Sequence, residues 1–192
     1  MIFTETPLAG AFVIDLDKRA DERGFFARAW CRREFEEHGL IPHIEQINVG
    51  YSRRRGTLRG MHWQNPPHAE VKVVRCVRGA MFDVIVDLRP ESPTRCRWFG
   101  VELRSETGQM LYVPQGFAHG YQTLADETEM IYQTTQPYVS QSATGVRYDD
   151  PAFGIRWPLD VTCVSDADRN WPLVGQASSL SDLFGRLEAC PT

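Results

Sequence analysis

Seven short runs rich in β-branched and aromatic residues recur along this chain, FVIDLD, VKVVRCV, AMFDVIVDL, RWFGVEL, QMLYVP, GYQTL and EMIYQTT, each set off by Gly, Pro, Asn or charged clusters. Strands of that length at that spacing build an all-β sandwich or barrel. One run constrains the fold most. Phe82, Val84, Val86 and Leu88 alternate with Met81, Asp83, Ile85 and Asp87, so a single strand divides into a wholly apolar face and a face carrying two carboxylates. The apolar face needs a core, and the other needs a polar cavity or solvent.

Helical signals are few. Residues 32–39, RREFEEHG, fit a short helix closed by Gly39, and from Ser179 onward Leu180, Leu183, Phe184 and Leu187 fall at helical spacing, which predicts an amphipathic final helix. A chain of 192 residues can build one full hydrophobic core and is short for two. Residues 1–175 therefore read as one domain and 176–192 as a helical tail. No internal repeat or long linker interrupts the chain, so an active site has to come from within that fold.

Composition narrows the partners. A net charge of −4 gives no general basic face for a phosphate backbone, which argues against nucleic acid. No run approaches the roughly 18 apolar residues of a membrane span, and the opening MIFTETPLAGAFVIDLD lacks the charged-then-apolar order of a secretory signal. The five cysteines, Cys31, Cys76, Cys96, Cys163 and Cys190, are scattered and lack a CxxC pair or zinc spacing. That usage predicts reduced thiols and a cytoplasmic protein.

Two segments carry candidate chemistry. The first is Gly60-Met61-His62-Trp63-Gln64, followed by Lys72 and then Gly79; the second places Gly108, Pro114, Gly116 and His119 in order. Both resemble the paired motifs of the cupin superfamily, in which His-x-His, a Glu and a later His usually converge on a metal inside a β jelly roll. Here Gln64 stands at the second His position and Lys72 at the Glu position. An ammonium group repels a divalent cation and offers it no anionic oxygen, so the pocket is expected to keep its shape and hold no metal. A histidine and a fixed cation can instead remove a proton beside a carbonyl and stabilise the enolate.

The likeness runs further, through Asp21-Glu22-Arg23-Gly24-Phe25-Phe26, Gln46-Ile47-Asn48, Leu58-Arg59-Gly60-Met61-His62, Lys72-Val73-Val74-Arg75, Val113-Pro114-Gln115-Gly116-Phe117-Ala118-His119-Gly120, Tyr132-Gln133-Thr134-Thr135 and Asp149-Asp150-Pro151. Over roughly residues 1–172 the chain resembles the dTDP-4-dehydrorhamnose 3,5-epimerases. The resemblance implies a cupin-like jelly roll and an isomerase that needs no cofactor and acts on a nucleoside-diphosphate 4-keto-deoxysugar. It implies His62 as base, Tyr132 as acid on the opposite face of the sugar, Lys72 near the C4 oxygen and Asp168 as the carboxylate that orients His62. It further implies that Arg59 grips the diphosphate, with Gln46, Asn48 and Tyr138 on the nucleotide or sugar side and His119 near the sugar. Arg23 and Phe26 would reach the substrate from the partner of a homodimer.

The residues by themselves leave alternatives open. Asp83, on a strand expected to line the barrel, competes with Asp168 and its neighbour Asp166 as the partner of His62. A metal-dependent cupin using His62, His119 and a carboxylate, and a binding module that lost its chemistry, are the competing functions. The chain departs from the family pattern at Arg28, where a Glu is common, at Ala167, where a Lys is usual, and in Ala69-Glu70-Val71-Lys72, which replaces Ala-Gln-Gly-Lys. These positions bear on which base, sugar and carbon centres are used.

Overall fold

The structure is a computed structural model that describes residues 1–174; the helix expected from Ser179 lies outside the described residues. In chain order the strands are β1 (Ile2–Glu5), β2 (Phe12–Asp15), β3 (Arg19–Asp21), β4 (Gly24–Phe26), β5 (Gln46–Ser52), β6 (Leu58–Gln64), β7 (Lys72–Arg78), β8 (Ala80–Asp87), β9 (Trp98–Arg104), β10 (Met110–Val113), β11 (Phe117–Thr123), β12 (Thr128–Thr134) and β13 (Ala143–Gly145). Helix α1 (Arg32–Glu37) follows β4, and α2 (Asp166–Asn170) follows β13. The helix read from residues 32–39 is α1, and Gly39 takes up the positive φ of +69° that ends it.

Two antiparallel sheets face each other in a cupin-like β jelly roll. One has the order β1-β2-β10-β7-β12-β5 and the other β13-β6-β11-β8-β9, while β3 and β4 form a separate hairpin. Val74, Cys76, Leu111 and Met130 of the first sheet pack against Met81, Ile85, Leu103 and Phe117 of the second, and these are the core between the sheets. The outer face of the second sheet is not solvent-facing. Met61, Trp63, Val84, Val86 and Leu88 pack there beneath Val146, Phe153 and Val174 of the returning chain.

Strand β8 is therefore buried on both faces. Its apolar face meets that outer layer, and its Asp83 and Asp87 point inward at 0% exposure. Each carboxylate has partners that offset its burial. Asp87 accepts bonds from Arg89, Ser92 and Thr94; burial raises its pKa, and these donors outweigh burial and hold it below the ordinary value. Asp83 belongs to the candidate site.

The outer face of the first sheet is only half covered. Around α1, Trp30, Phe35 and Leu40 pack on Ile14, Val73, Met110 and Tyr112. Beyond them Ile47, Val49 and Tyr51 of β5 and Val77 of β7 remain exposed.

Candidate active site

Between the sheets lies a cavity of about 680 Å³, within the size range that holds a small-molecule ligand. His62 reaches it from β6 of one sheet, and Lys72 and Tyr132 reach it from β7 and β12 of the other. Gly60 makes the His62 wall possible. A Cβ built on Gly60, whose φ is +127°, would lie 2.5 Å from the Cα of Gly120 on β11, so the two strands pass at a spacing no side chain permits.

The His62 imidazole is held from one side. Its Nε2 lies 2.6 Å from Asp168 Oδ1, across 106 positions of sequence. Leu58 N–H donates to the Cys163 carbonyl and a parallel bridge joins Thr57 to Cys163, which brings the segment ahead of α2 alongside the start of β6. Ser165 then caps α2 by accepting from Asp168 N–H, and Asp168 Oδ2 accepts from Gly60 N–H at 3.3 Å. Burial raises the Asp168 pKa, but the bonds from His62, Gly60 and Ser165 and the His62 charge outweigh it and hold the carboxylate below its ordinary value. Trp171 packs edge-on against the imidazole, with ring centroids 6.3 Å apart.

Asp83 has a different partner. It lies 2.7 Å from His119 Nε2, while His119 sits opposite His62 in the β6–β11 register. The cavity thus contains two histidines, each backed by its own buried carboxylate. Asp168, not Asp83, is the residue bonded to His62.

Lys72 is held by two acceptors, the His62 carbonyl at 3.2 Å and Glu70 Oε1 at 3.0 Å. It is not an exposed strand lysine, since its side chain is 12% exposed. The Tyr132 phenol has its pKa raised, first by burial and next by the nearby Glu70 carboxylate, so it stays protonated through neutral pH.

Gln64 is committed elsewhere. Its NH₂ donates to the His68 and Pro137 carbonyls and its oxygen accepts from Val139 N–H, so it clasps the 137–139 loop. Among the described residues no three His, Cys, Asp or Glu side chains converge as a metal site requires. The donor set matches a proton-transfer site better than a metal site.

The remaining substrate-binding candidates are spread along β5. Arg59 lines the cavity while donating to the Tyr51 carbonyl and Ser52 Oγ. Gln46 and Asn48 face inward from β5, joined by a 3.1 Å bond, and Gln46 Oε1 accepts from Tyr138 N–H at the mouth. Tyr138 is 67% exposed there. Arg23 and Phe26 are not in this cavity: they sit on the β3–β4 hairpin, where Phe26 is 77% exposed and Arg23 pairs with Asp21.

Residues 5–176 match the family model described as dTDP-4-dehydrorhamnose 3,5-epimerase. The chain belongs to this family. A dTDP-4-dehydrorhamnose 3,5-epimerase of Sinorhizobium fredii is 42% identical over 177 residues, covering 90% of this chain and 89% of the relative. The crystal structure of the Legionella pneumophila enzyme in complex with dTDP-4-keto-L-rhamnose has a TM-score of 0.88 at 32% identity, covering 98% of this chain and 99% of that one. A 3'-monoepimerase from Streptomyces bikiniensis, in complex with dTDP-quinovose, has a TM-score of 0.85 at 32% identity, covering 93% and 90%.

Sequence reasoning missed several cavity residues of this family member. Trp171 carried no signal, being a lone Trp three residues beyond Asp168. Cys163 and Thr57, which hold the α2 segment in place, were equally silent. Glu70 was visible only as a departure from the family pattern, yet it is the ion-pair partner of Lys72.

Proposed function

We propose that this chain is an isomerase that inverts C3, C5 or both of a nucleoside-diphosphate 4-keto-6-deoxyhexose, the dTDP-linked sugar by likeness to its relatives. The observation that carries the proposal is the placement of His62 and Tyr132 on opposite walls of one cavity that also holds an ammonium. His62 removes a proton next to the C4 ketone. Lys72 donates to the C4 oxygen as charge develops on it, and Tyr132 returns a proton to the other face of the sugar, inverting the carbon. Asp168 supports the imidazolium formed on the way.

No metal or organic cofactor enters this scheme, because the enolate is stabilised by Lys72 and the two cupin positions that would complete a metal site are Gln64 and Lys72. The direct test presents dTDP-4-keto-6-deoxyglucose and its relatives with other bases to the purified protein and identifies products by NMR. Ring-proton couplings are expected to show a changed configuration at C5, C3 or both. Tight binding with no conversion would establish the binding-module alternative, and conversion that appears only with added iron or manganese would establish the metal cupin.

The working unit we propose is a cytoplasmic homodimer. Ile47, Val49, Tyr51 and Val77 form an exposed apolar stripe on a sheet whose edge strand, β5, has an unpaired side among the described residues, a surface that soluble proteins ordinarily cover. In the dimer the β3–β4 hairpin reaches the partner's cavity and offers Arg23 and Phe26 to its nucleotide. Arg23→Ala is expected to weaken dTDP binding about tenfold by calorimetry while sedimentation still shows a dimer; unchanged affinity would remove Arg23 from the site. Among the described residues no helix is long and apolar enough to cross a membrane, and Cys31, Cys76, Cys96 and Cys163 are free thiols, as a reducing compartment favours.

A further inference from the structure

The Lys72 ammonium has three N–H bonds to give. One goes to the His62 carbonyl and one to Glu70 Oε1, which leaves the third for a ligand in the cavity that Lys72 and Glu70 both line. Glu70 is a firm anchor. The next residue, Val71, donates its N–H to Thr135 Oγ1 and accepts from Thr135 N–H, and the Glu70 side chain is only 6% exposed.

Asp87 has partners on both carboxylate oxygens, Arg89 on Oδ1 and Arg89, Ser92 and Thr94 on Oδ2. Glu70 does not. Its Oε2 is buried with no hydrogen-bond partner among the described residues. What Glu70 does achieve is to fix the direction of the lysine.

Resting on the epimerase reading above, we propose that Glu70 is a positioning residue for Lys72: it takes one N–H of the ammonium and so aims the remaining one at the ketone oxygen where enolate charge develops. A lysine with a single anchor would sample several rotamers about its flexible stem, and misplacement of a catalytic donor by about 1 Å can cost on the order of 10²-fold in rate. Glu70 thereby belongs to the reaction without touching the reacting atoms.

The test is a double-mutant cycle read by deuterium uptake from D₂O into the 4-keto sugar. Glu70→Leu is expected to lower kcat on the order of 10²-fold, with KM and the Kd for dTDP within about threefold. Glu70→Gln, which keeps an oxygen for Lys72, is expected to recover most of that loss. In a Lys72→Met background, Glu70→Leu is expected to cost less than about twofold more, because its effect runs through the lysine.

If Glu70→Leu does not fold by circular dichroism, Glu70→Ala replaces it in the same cycle. Equal losses in both backgrounds, a lowered Tm with kcat unchanged, or a Gln variant as slow as the Leu variant would each overturn the proposal. Wild-type protein that takes up no deuterium defeats the epimerase reading itself. Wild-type uptake with indifferent Glu70 variants defeats this inference alone.

Discussion

His62→Asn lowers deuterium uptake into the 4-keto sugar by about 10³-fold, within the range of 10² to 10⁴ that a positioned acid or base contributes, while dTDP binding changes little. The physical ground is the asymmetry of the imidazole. Nε2 is taken by Asp168 at 2.6 Å, which assigns its proton to that side and leaves the Nδ1 lone pair for the substrate. Asparagine places an amide near the Nδ1 position, has no basic nitrogen and is too short to replace the Nε2 bond to Asp168. A variant exchanging at the wild-type rate would show that another residue removes the proton, and His119, opposite His62 in the register, would be the first to examine.

Asp168 sets the acid side of the same prediction. Its pKa is lowered in the folded state, so its support of the imidazolium and the stability it adds are present above the ordinary carboxylate value of 3.8. Both are lost as pH falls below that value through the lower, folded-state pKa. Above it, Asp168 stays ionised.

Tyr132→Phe separates two events that the wild type joins. Inversion falls by about 10²- to 10⁴-fold, yet deuterium still enters, because His62 remains able to remove a proton and return solvent deuterium to the same face. The substrate becomes labelled with its configuration retained. Burial and Glu70 keep the phenol above its ordinary pKa of 10.0, so the wild type presents a proton donor at neutral pH and the Phe variant presents none. NMR of recovered sugar reads label and configuration in one spectrum. If Tyr132→Phe inverts at the normal rate, the acid on that face is another group.

Most strands were legible because their alternation puts apolar residues into a core. The runs VKVVRCV, AMFDVIVDL, RWFGVEL, QMLYVP and EMIYQTT lie in β7, β8, β9, β10 and β12. Two of the strands that line the cavity, β5 and β6, give a weaker signal, for a physical reason. On β5, Gln46, Asn48 and Gly50 face inward while Ile47, Val49 and Tyr51 face out, so the pattern is inverted relative to a core strand. On β6, Arg59, Gly60, His62 and Gln64 break the apolar period for the sake of the site.

The site was legible in its motifs and not in its pairings. His62, Lys72 and Tyr132 stood in recognisable runs, but the choice between Asp168 and Asp83 depends on contacts across 106 and 36 positions of sequence. The register settles it. Asp83 lies opposite Tyr121 on β11, diagonal to His119 on the same inward face, whereas Asp168 arrives on a one-turn helix whose only local mark is the Ser165 cap. The ion pair of Lys72 with Glu70, two residues away, was equally hidden, since Glu70 precedes the start of β7 and strand alternation does not say where it points.

The central claim, that epimerisation proceeds by carbon deprotonation between two walls of one cavity, is tested most directly by turning over dTDP-4-keto-6-deoxyglucose with the wild-type protein in D₂O and reading the product by NMR. The account predicts that every inverted carbon carries deuterium from solvent. An inverted carbon that keeps its original protium in full would contradict it.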